Sequence, residues 1–426
     1  MTINIKNIVN IVAKKITTAD SAEAGNLLFG YLNIAQRHGL GQIKEGSDPG
    51  APVLPSDFTS RDQDRLRYVG DKLYIRKNAG WSKQFVTQEF FQGQTSGYVS
   101  GGFHRFPNGS STSPRSITEF SLLTGNTVTA GPLIMNNPGP APGFMPTDKQ
   151  VGVPNHTTTA YIFGGYVQPP YGYITDNINK FLFANPSTYS SDIASLAAAV
   201  SNNASASDAT AGYVMGGDEL PTPPNQNQSQ QVQKFIFASE TPATVSTTLT
   251  LPVRQNGGHS SDVNGYSAAG FSFFPGPGNV GRVDGFPFAS PGGTFVAQTP
   301  ELSPTSGKCS ISSFTHGYLI GGVISTPTPI YVAQKYSFAN NTPVTTFPYF
   351  LNTYTDATGI SGENEGFYAG GAVVVTPTSP FPNSGPVSGY IQKFPYASEV
   401  IVNHANMTQS GDSLATNGKQ MAGNQR

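Results

Sequence analysis

A phrase of one glycine, one aromatic, two small or apolar residues and a glycine pair recurs through most of the chain. Its cleanest copy is Gly212-Tyr213-Val214-Met215-Gly216-Gly217, followed by a second phrase, Val232-Gln233-Lys234-Phe235-Ile236-Phe237-Ala238. The couple returns as Gly97-Tyr98 to Gly101-Gly102 with Ile117 and Phe120, and as Tyr161 to Gly164-Gly165 with Ile178-Asn179-Lys180-Phe181-Leu182-Phe183-Ala184. Later copies run Gly265-Tyr266 to Gly270 with Val283 to Ala289, Gly317-Tyr318 to Gly322 with Ala333 to Ala339, and Gly366-Phe367 to Gly371 with Ile391 to Ala397. From Tyr98 to Phe367 the aromatic steps are 63, 52, 53, 52 and 49 residues. Six copies at one period require a repeat architecture, in which each unit buries its apolar surface against its neighbours.

In a strand, successive side chains point to opposite faces. Phe181 and Phe183 then share one face, and Ile178, Lys180 and Leu182 share the other. Both faces are expected to meet a neighbouring sheet, with the Lys stem lying along apolar surface and its ammonium reaching water. The glycine pair permits positive φ and close backbone approach. One whole unit reads Val245 to Leu251 as a Thr-rich strand, then Arg254, Gly258-His259-Ser260-Ser261, a turn at Asn264-Gly265, the glycine phrase, a Pro-rich loop and Val283 to Phe288. That order resembles the Kelch repeat. The resemblance implies a mainly β chain forming a six-bladed Kelch-like β-propeller over residues 86–426. The sequence departs from the family in lacking the tryptophan usual on the fourth strand, and Gly270 keeps one glycine of the pair. The segment Asn417 to Arg426 looks like the innermost strand that precedes each Gly-Tyr phrase. It would close the array by pairing beside Gly97-Tyr98; the alternative gives that role to Thr87 to Phe91.

Residues 1–85 differ, and are expected to form an N-terminal anchoring segment of short helices or strands, a linker and a hairpin. Ile5, Ile8, Val9, Val12 and Ile16 fall at helical spacing, although their β-branching leaves a strand open. Leu27, Leu28, Tyr31 and Leu32 follow in a second amphipathic stretch behind Ser21. Segments this short need a partner to bury their apolar faces. Ile5, Ile8, Val12, Leu28 and Tyr31 are therefore candidate anchor residues. After a Gly/Pro/Asp/Ser linker, residues 64–84 read as a hairpin turning at Gly70-Asp71 and leading to the single tryptophan, Trp81. This passage resembles small hairpins near the front of structural proteins of tailed bacteriophages.

A net charge of −1 leaves no electrostatic footprint for nucleic acid. No run of about 18 apolar residues suits a membrane span, and Lys14 and Lys15 interrupt the N-terminal apolar stretch where a signal peptide would need continuity. Cys309, the sole cysteine, excludes an intrachain disulfide and reads as a buried thiol. Kelch blades also carry copper oxidases of the galactose-oxidase kind, but His38, His104, His156, His259, His316 and His404 show no close pairing. Asp218-Glu219 reads as a solvated turn. The expectation is a chain without catalytic residues, metal or cofactor.

The Pro-rich loops between the two phrases vary in length and carry exposed aromatics. Tyr171, Tyr173, Phe273, Phe274 and Phe381 are the candidate contact residues, since proline limits the entropy lost on binding and aromatics supply contact area; the alternative is that the loops are solvent-exposed connectors made rigid for stability. Taken with the resemblances, which point to structural proteins of tailed phages of cyanophage type, the expectation is a virion protein. It would be made in a host cytoplasm, anchored through its N-terminus to other virion proteins as a homo-oligomer, and would present loops to a host-surface protein or glycan. The rival readings are a free-standing Kelch-type binding module and a propeller oxidase or glycan hydrolase.

Overall fold

The two repeated phrases form neighbouring antiparallel strands, and the aromatic of the first lies opposite the central residue of the second. Tyr161 faces Lys180, Tyr213 faces Lys234, Tyr318 faces Lys335 and Phe367 faces Lys393. The computed structural model describes residues 66–69, 72–77, 80–85, 95–100, 104–105, 111–112, 116–132, 147–148, 151–155, 158–167, 172–185, 191–219, 227–289, 291, 296–297, 302–323, 332–339, 343–348, 354–355, 357–362, 364–373, 390–406 and 422–425. The chain divides into two compact units, Met1–Glu89 and Phe90–Arg426. The described residues are mainly β, in small antiparallel sheets, with no helix among them.

In the first unit Leu66–Val69, Lys72–Lys77 and Gly80–Phe85 form one meander, with Val69 opposite Lys72. The candidate anchor residues Ile5, Ile8, Val12, Leu28 and Tyr31 lie outside the described residues.

Among the described residues the second unit holds six four-stranded sheets. Sheet 1 comprises Ala422–Gln425, Ser96–Ser100, Ser116–Ser121 and Thr127–Pro132, in that spatial order. Sheet 2 is Val151–Asn155, Thr159–Phe163, Asn177–Leu182 and Ser191–Ser195. Sheet 3 is Ala204–Ser207, Ala211–Met215, Val232–Ile236 and Thr241–Ala243. Sheet 4 is Gly257–Ser260, Asn264–Ser272, Gly278–Pro287 and Val296–Ala297. Sheet 5 is Cys309–Ser312, His316–Ile320, Val332–Ser337 and Pro343–Pro348. Sheet 6 is Thr358–Ser361, Glu365–Ala369, Tyr390–Pro395 and Val402–Asn406. The first strands lie beside one another in sheet order, and that of sheet 6 also lies beside that of sheet 1. Sheet 1 takes its first strand from the far end of the chain, Gln425 pairing with Gly97 and Ala422 with Ser100.

One aromatic contact recurs at every junction between successive sheets. Tyr161 of sheet 2 sits between Phe235 and Phe237 of sheet 3, at 5.1 and 5.2 Å, nearly parallel to the latter. Tyr98, Tyr213, Tyr266 and Tyr318 make the same pair of contacts with Phe181/Phe183, Phe286/Phe288, Tyr336/Phe338 and Phe394/Tyr396. Between sheets 6 and 1 Phe367 meets Phe120, Leu122 replaces the second aromatic, and the His404 ring lies 5.0 Å from Phe367. Opposite strand faces thus serve opposite neighbours: Phe181 and Phe183 pack back on sheet 1, while Tyr161 and Ile178 pack forward on sheet 3. Each aromatic pair adds about 0.5–1.5 kcal/mol beyond its area burial.

The lysine of the second phrase behaves differently from expectation. Lys180 bonds Glu240 across the junction at 2.7 Å, and the Tyr161 hydroxyl donates to the same carboxylate. The pattern returns three sheets later, where Lys335 and Tyr318 share Glu399. The ammonium ends on a neighbouring sheet because the turn after the third strand swings a glutamate over it. Half-exposed pairs of this kind contribute less than about 1 kcal/mol each.

The glycine pair also has a specific task. The N–H groups of Gly165, Gly217 and Gly270 donate to the carbonyls of Val200, Val253 and Thr305, on the chain that leads into the next sheet. Gly217 has φ +101°, and a Cβ there would stand 2.6 Å from the Ser201 oxygen. In sheet 4 Ala269 occupies the first glycine's place and still adopts φ +55°.

Two expectations for the unit at 245–288 are corrected. Val245 to Leu251 is not a strand; the fourth strand of sheet 3 is Thr241–Ala243. Thr250 instead spends its N–H and hydroxyl on the Asp284 carboxylate of sheet 4, which takes the segment out of the ladder. The turn lies at Ser261 to Val263, capped by the Ser261 hydroxyl, and Asn264 already opens the strand.

Replacing Tyr213 by Ala should cost about 3–5 kcal/mol, against less than about 1 kcal/mol for Ala at the exposed Leu182. Gly217→Ala should cost at least about 1–3 kcal/mol through backbone strain alone. Urea unfolding measures all three.

Candidate contact face

The glycine pairs of sheets 2, 3 and 4 bond the connections that enter the first strands of sheets 3, 4 and 5. Three of those connections share one build. Asn202, Gln255 and Gly307 all have positive φ. They are also joined in series, since Gln255 N–H donates to Asn202 O at 2.7 Å and Gly307 N–H to Gln255 O at 3.2 Å. The rims of sheets 3, 4 and 5 are therefore tied together by backbone.

The loop Phe273–Gly278 stands on this rim. Its backbone is pinned by Gln228 of sheet 3, which accepts from Phe273 N–H and donates to Phe271 O. The Ser272 hydroxyl accepts from Phe274 N–H and donates to Phe274 O. Asn279 reaches the Val323 carbonyl of sheet 5 at 2.7 Å. Beneath the loop the Arg254 guanidinium lies over both Phe271 and Phe273, at 5.1 and 5.2 Å. Asp218 accepts from Asn202 at 2.7 Å and pairs with Arg254 at 3.4 Å. Asp218 is buried, not the solvated turn its position after the glycines suggests, because Asn202 of the connection entering sheet 3 and Arg254 of the connection entering sheet 4 supply its partners.

The candidate contact residues separate on these facts. Phe274 is 60 % exposed and projects from a pinned loop. Phe273 is half-buried against Arg254, so it supports the surface and does not form it. Tyr173 is half-buried in the short strand Tyr173–Ile174. Tyr171 and Phe381 lie outside the described residues. Arg254, Asp218 and Gln228 escape sequence reasoning as a group, since each comes from a different repeat segment.

His316 and His404 are tied individually. His316 Nδ1 meets Thr315 Oγ1 at 2.8 Å, and His404 Nε2 meets the Ser121 carbonyl at 2.9 Å. Burial pushes the Cys309 thiol well up, away from the reactive thiolate. The Tyr318 phenol is pushed up to about 12 by burial and by the Glu399 charge. Among the described residues no group of three or more His, Cys, Asp or Glu could hold a metal ion.

Arg254→Ala should destabilise by about 2–3 kcal/mol, because it strands a buried carboxylate and uncovers two rings. Arg254→Lys should recover less than half of that loss, since an ammonium lacks the planar stacking surface. Chemical denaturation of the two variants checks it. No family model matches the chain, and a search of curated proteins finds no match either.

Proposed function

We propose that the second unit is a six-bladed Kelch-like β-propeller and that the chain is a non-enzymatic structural protein of a tailed-phage particle. The propeller reading is supported by six four-stranded sheets whose first strands follow one another and return to the start. In such an array the sheet faces are consumed by neighbours, leaving rims and loops for recognition. The observation that carries the contact role is Phe274, an exposed aromatic on a loop held by three separate elements. A preorganised aromatic loses little entropy on binding, as a host-surface protein or glycan contact needs.

The virion role rests on the meander at 66–85 and on the two amphipathic segments that the sequence places before it. The N-terminal segment anchors the protein to other virion components, as one of several copies, and the propeller is displayed from the particle. A free-standing Kelch-type module is the second reading; it needs no anchor.

Deleting residues 1–60 should abolish incorporation into particles while leaving the propeller folded by circular dichroism. Normal incorporation of the shortened chain overturns the anchor. Phe274→Asp should lower adsorption of otherwise intact particles to host cells at least about tenfold, on the scale of an interface anchor.

A further inference from the structure

The junction between sheets 4 and 5 departs from the repeat at three positions, each time by a buried titratable group. Opposite the clamp aromatic on the first strand stand Val153, Ala206, Ile311 and Ile360 in four sheets, but His259 in sheet 4. The inner ring of the second phrase is Phe120, Phe181, Phe235, Phe286 and Phe394 in five sheets, but Tyr336 in sheet 5. Ahead of the first strand, where sheets 3 and 4 carry Asn203 and Asn256, sheet 5 carries Lys308.

His259 and Tyr336 meet between the same two sheets, and Lys308 is near enough for its charge to act on His259. His259 is 1 % exposed; its Nε2 lies 2.9 Å from the Tyr318 carbonyl of sheet 5, and its ring meets Tyr336 edge-on at 5.3 Å. The carbonyl can only accept, so Nε2 carries the proton and Nδ1 presents a bare lone pair. Lys308 is 7 % exposed. It shares strand parity with Ser310 and Ser312, whose hydroxyls accept from Gly258 and Ser260 of sheet 4. Lys308 Nζ, His259 Nδ1 and the Tyr336 hydroxyl are all buried without a hydrogen-bond partner. Among the described residues, the other titratable side chain facing this space is Tyr266 of sheet 4, with Asp262 acting on it from the turn; Cys309 faces sheet 6. No carboxylate among the described residues offsets a charge on Lys308 or His259.

We propose that the junction between sheets 4 and 5 is an acid-sensitive seam, the place where the second unit opens first as pH falls. A proton on Lys308 or His259 is unpaired while the junction is closed and hydrated once it opens. The direction follows from linkage. Burial lowers the Lys308 amine from 10.5 to about 7, so the open junction takes up a proton that the closed one refuses. Closed-state stability therefore falls as pH drops from 10.5 to about 7. His259, lowered to about 4 by burial and then by the Lys308 charge, extends the fall between 6.5 and 4. Five junctions lack this combination, so the loss concentrates in one.

The test is hydrogen exchange on the full chain at pH 9, 7 and 5, with protection corrected for the intrinsic rate. Gly257–Ser260 and Cys309–Ser312 should lose protection at least about tenfold more than Ala204–Ser207 and Thr358–Ser361 between pH 9 and pH 5. Lys308→Met combined with His259→Ile should abolish that difference. Lys308→Asn, which installs the residue of sheets 3 and 4, should reduce it alone and guards against a double variant that fails to fold. Uniform loss across all sheets, or an unchanged difference in Lys308→Asn, overturns the seam.

Discussion

The contact on which the second unit depends is one ring held between two others across a sheet boundary, made at five junctions, with Leu122 in place of one ring between sheets 6 and 1. It asks three things of the sequence: an aromatic in the second strand, two aromatics at i and i+2 in the third, and sheets close enough to bring them within about 5–6 Å. The period near fifty residues is the length of chain needed to make four strands and present that triplet once. The i, i+2 spacing places both receiving rings on one face and leaves the other face to do the giving. The same strand pair can therefore be lock on one side and key on the other.

Polar groups serve the same end without many charges. Where the first strands crowd together, serines replace bulk: Ser207, Ser260 and Ser312 each donate a backbone N–H to the hydroxyl of the serine one sheet on. Gly258 sits where any Cβ would collide with the Ser205 backbone. At the loop-bearing rim, buried side chains such as Gln228 and Asp218 replace flexible surface charges. A chain with 12 % charged residues reaches rigidity through satisfied amides and hydroxyls. That rigidity makes Phe274 a defined feature of the surface, where a free loop would leave it an average over many positions.

The parts of this arrangement legible in the sequence were those written by period. Tyr213, Phe235 and Phe237 announce their packing by spacing alone. The C-terminal strand beside Gly97 was legible as one of two alternatives, because only its likeness to other first strands marked it. What periodicity does not repeat could not be read. Arg254 and Asp218 are 36 residues apart and occupy different places in their repeats, so no pattern links them. Thr-rich Val245 to Leu251 has the composition of a strand, yet Thr250 is claimed by Asp284, a tertiary demand that overrides propensity. In the sequence His259 is one of six scattered histidines, whereas its position opposite Tyr266 makes it an exception within the core.

The pairing of Ala422–Gln425 with Ser96–Ser100 has a consequence for how the chain assembles. The two strands are separated by more than three hundred residues, so sheet 1 is begun first during synthesis and finished last. Throughout that interval Ser96–Ser100 presents an unpaired edge of backbone donors and acceptors, the geometry that recruits foreign strands. Sheets 2 to 6 draw all four strands from local chain and can form while it waits. The slowest and most exposed moment in the life of this protein is then the interval before its final strand arrives.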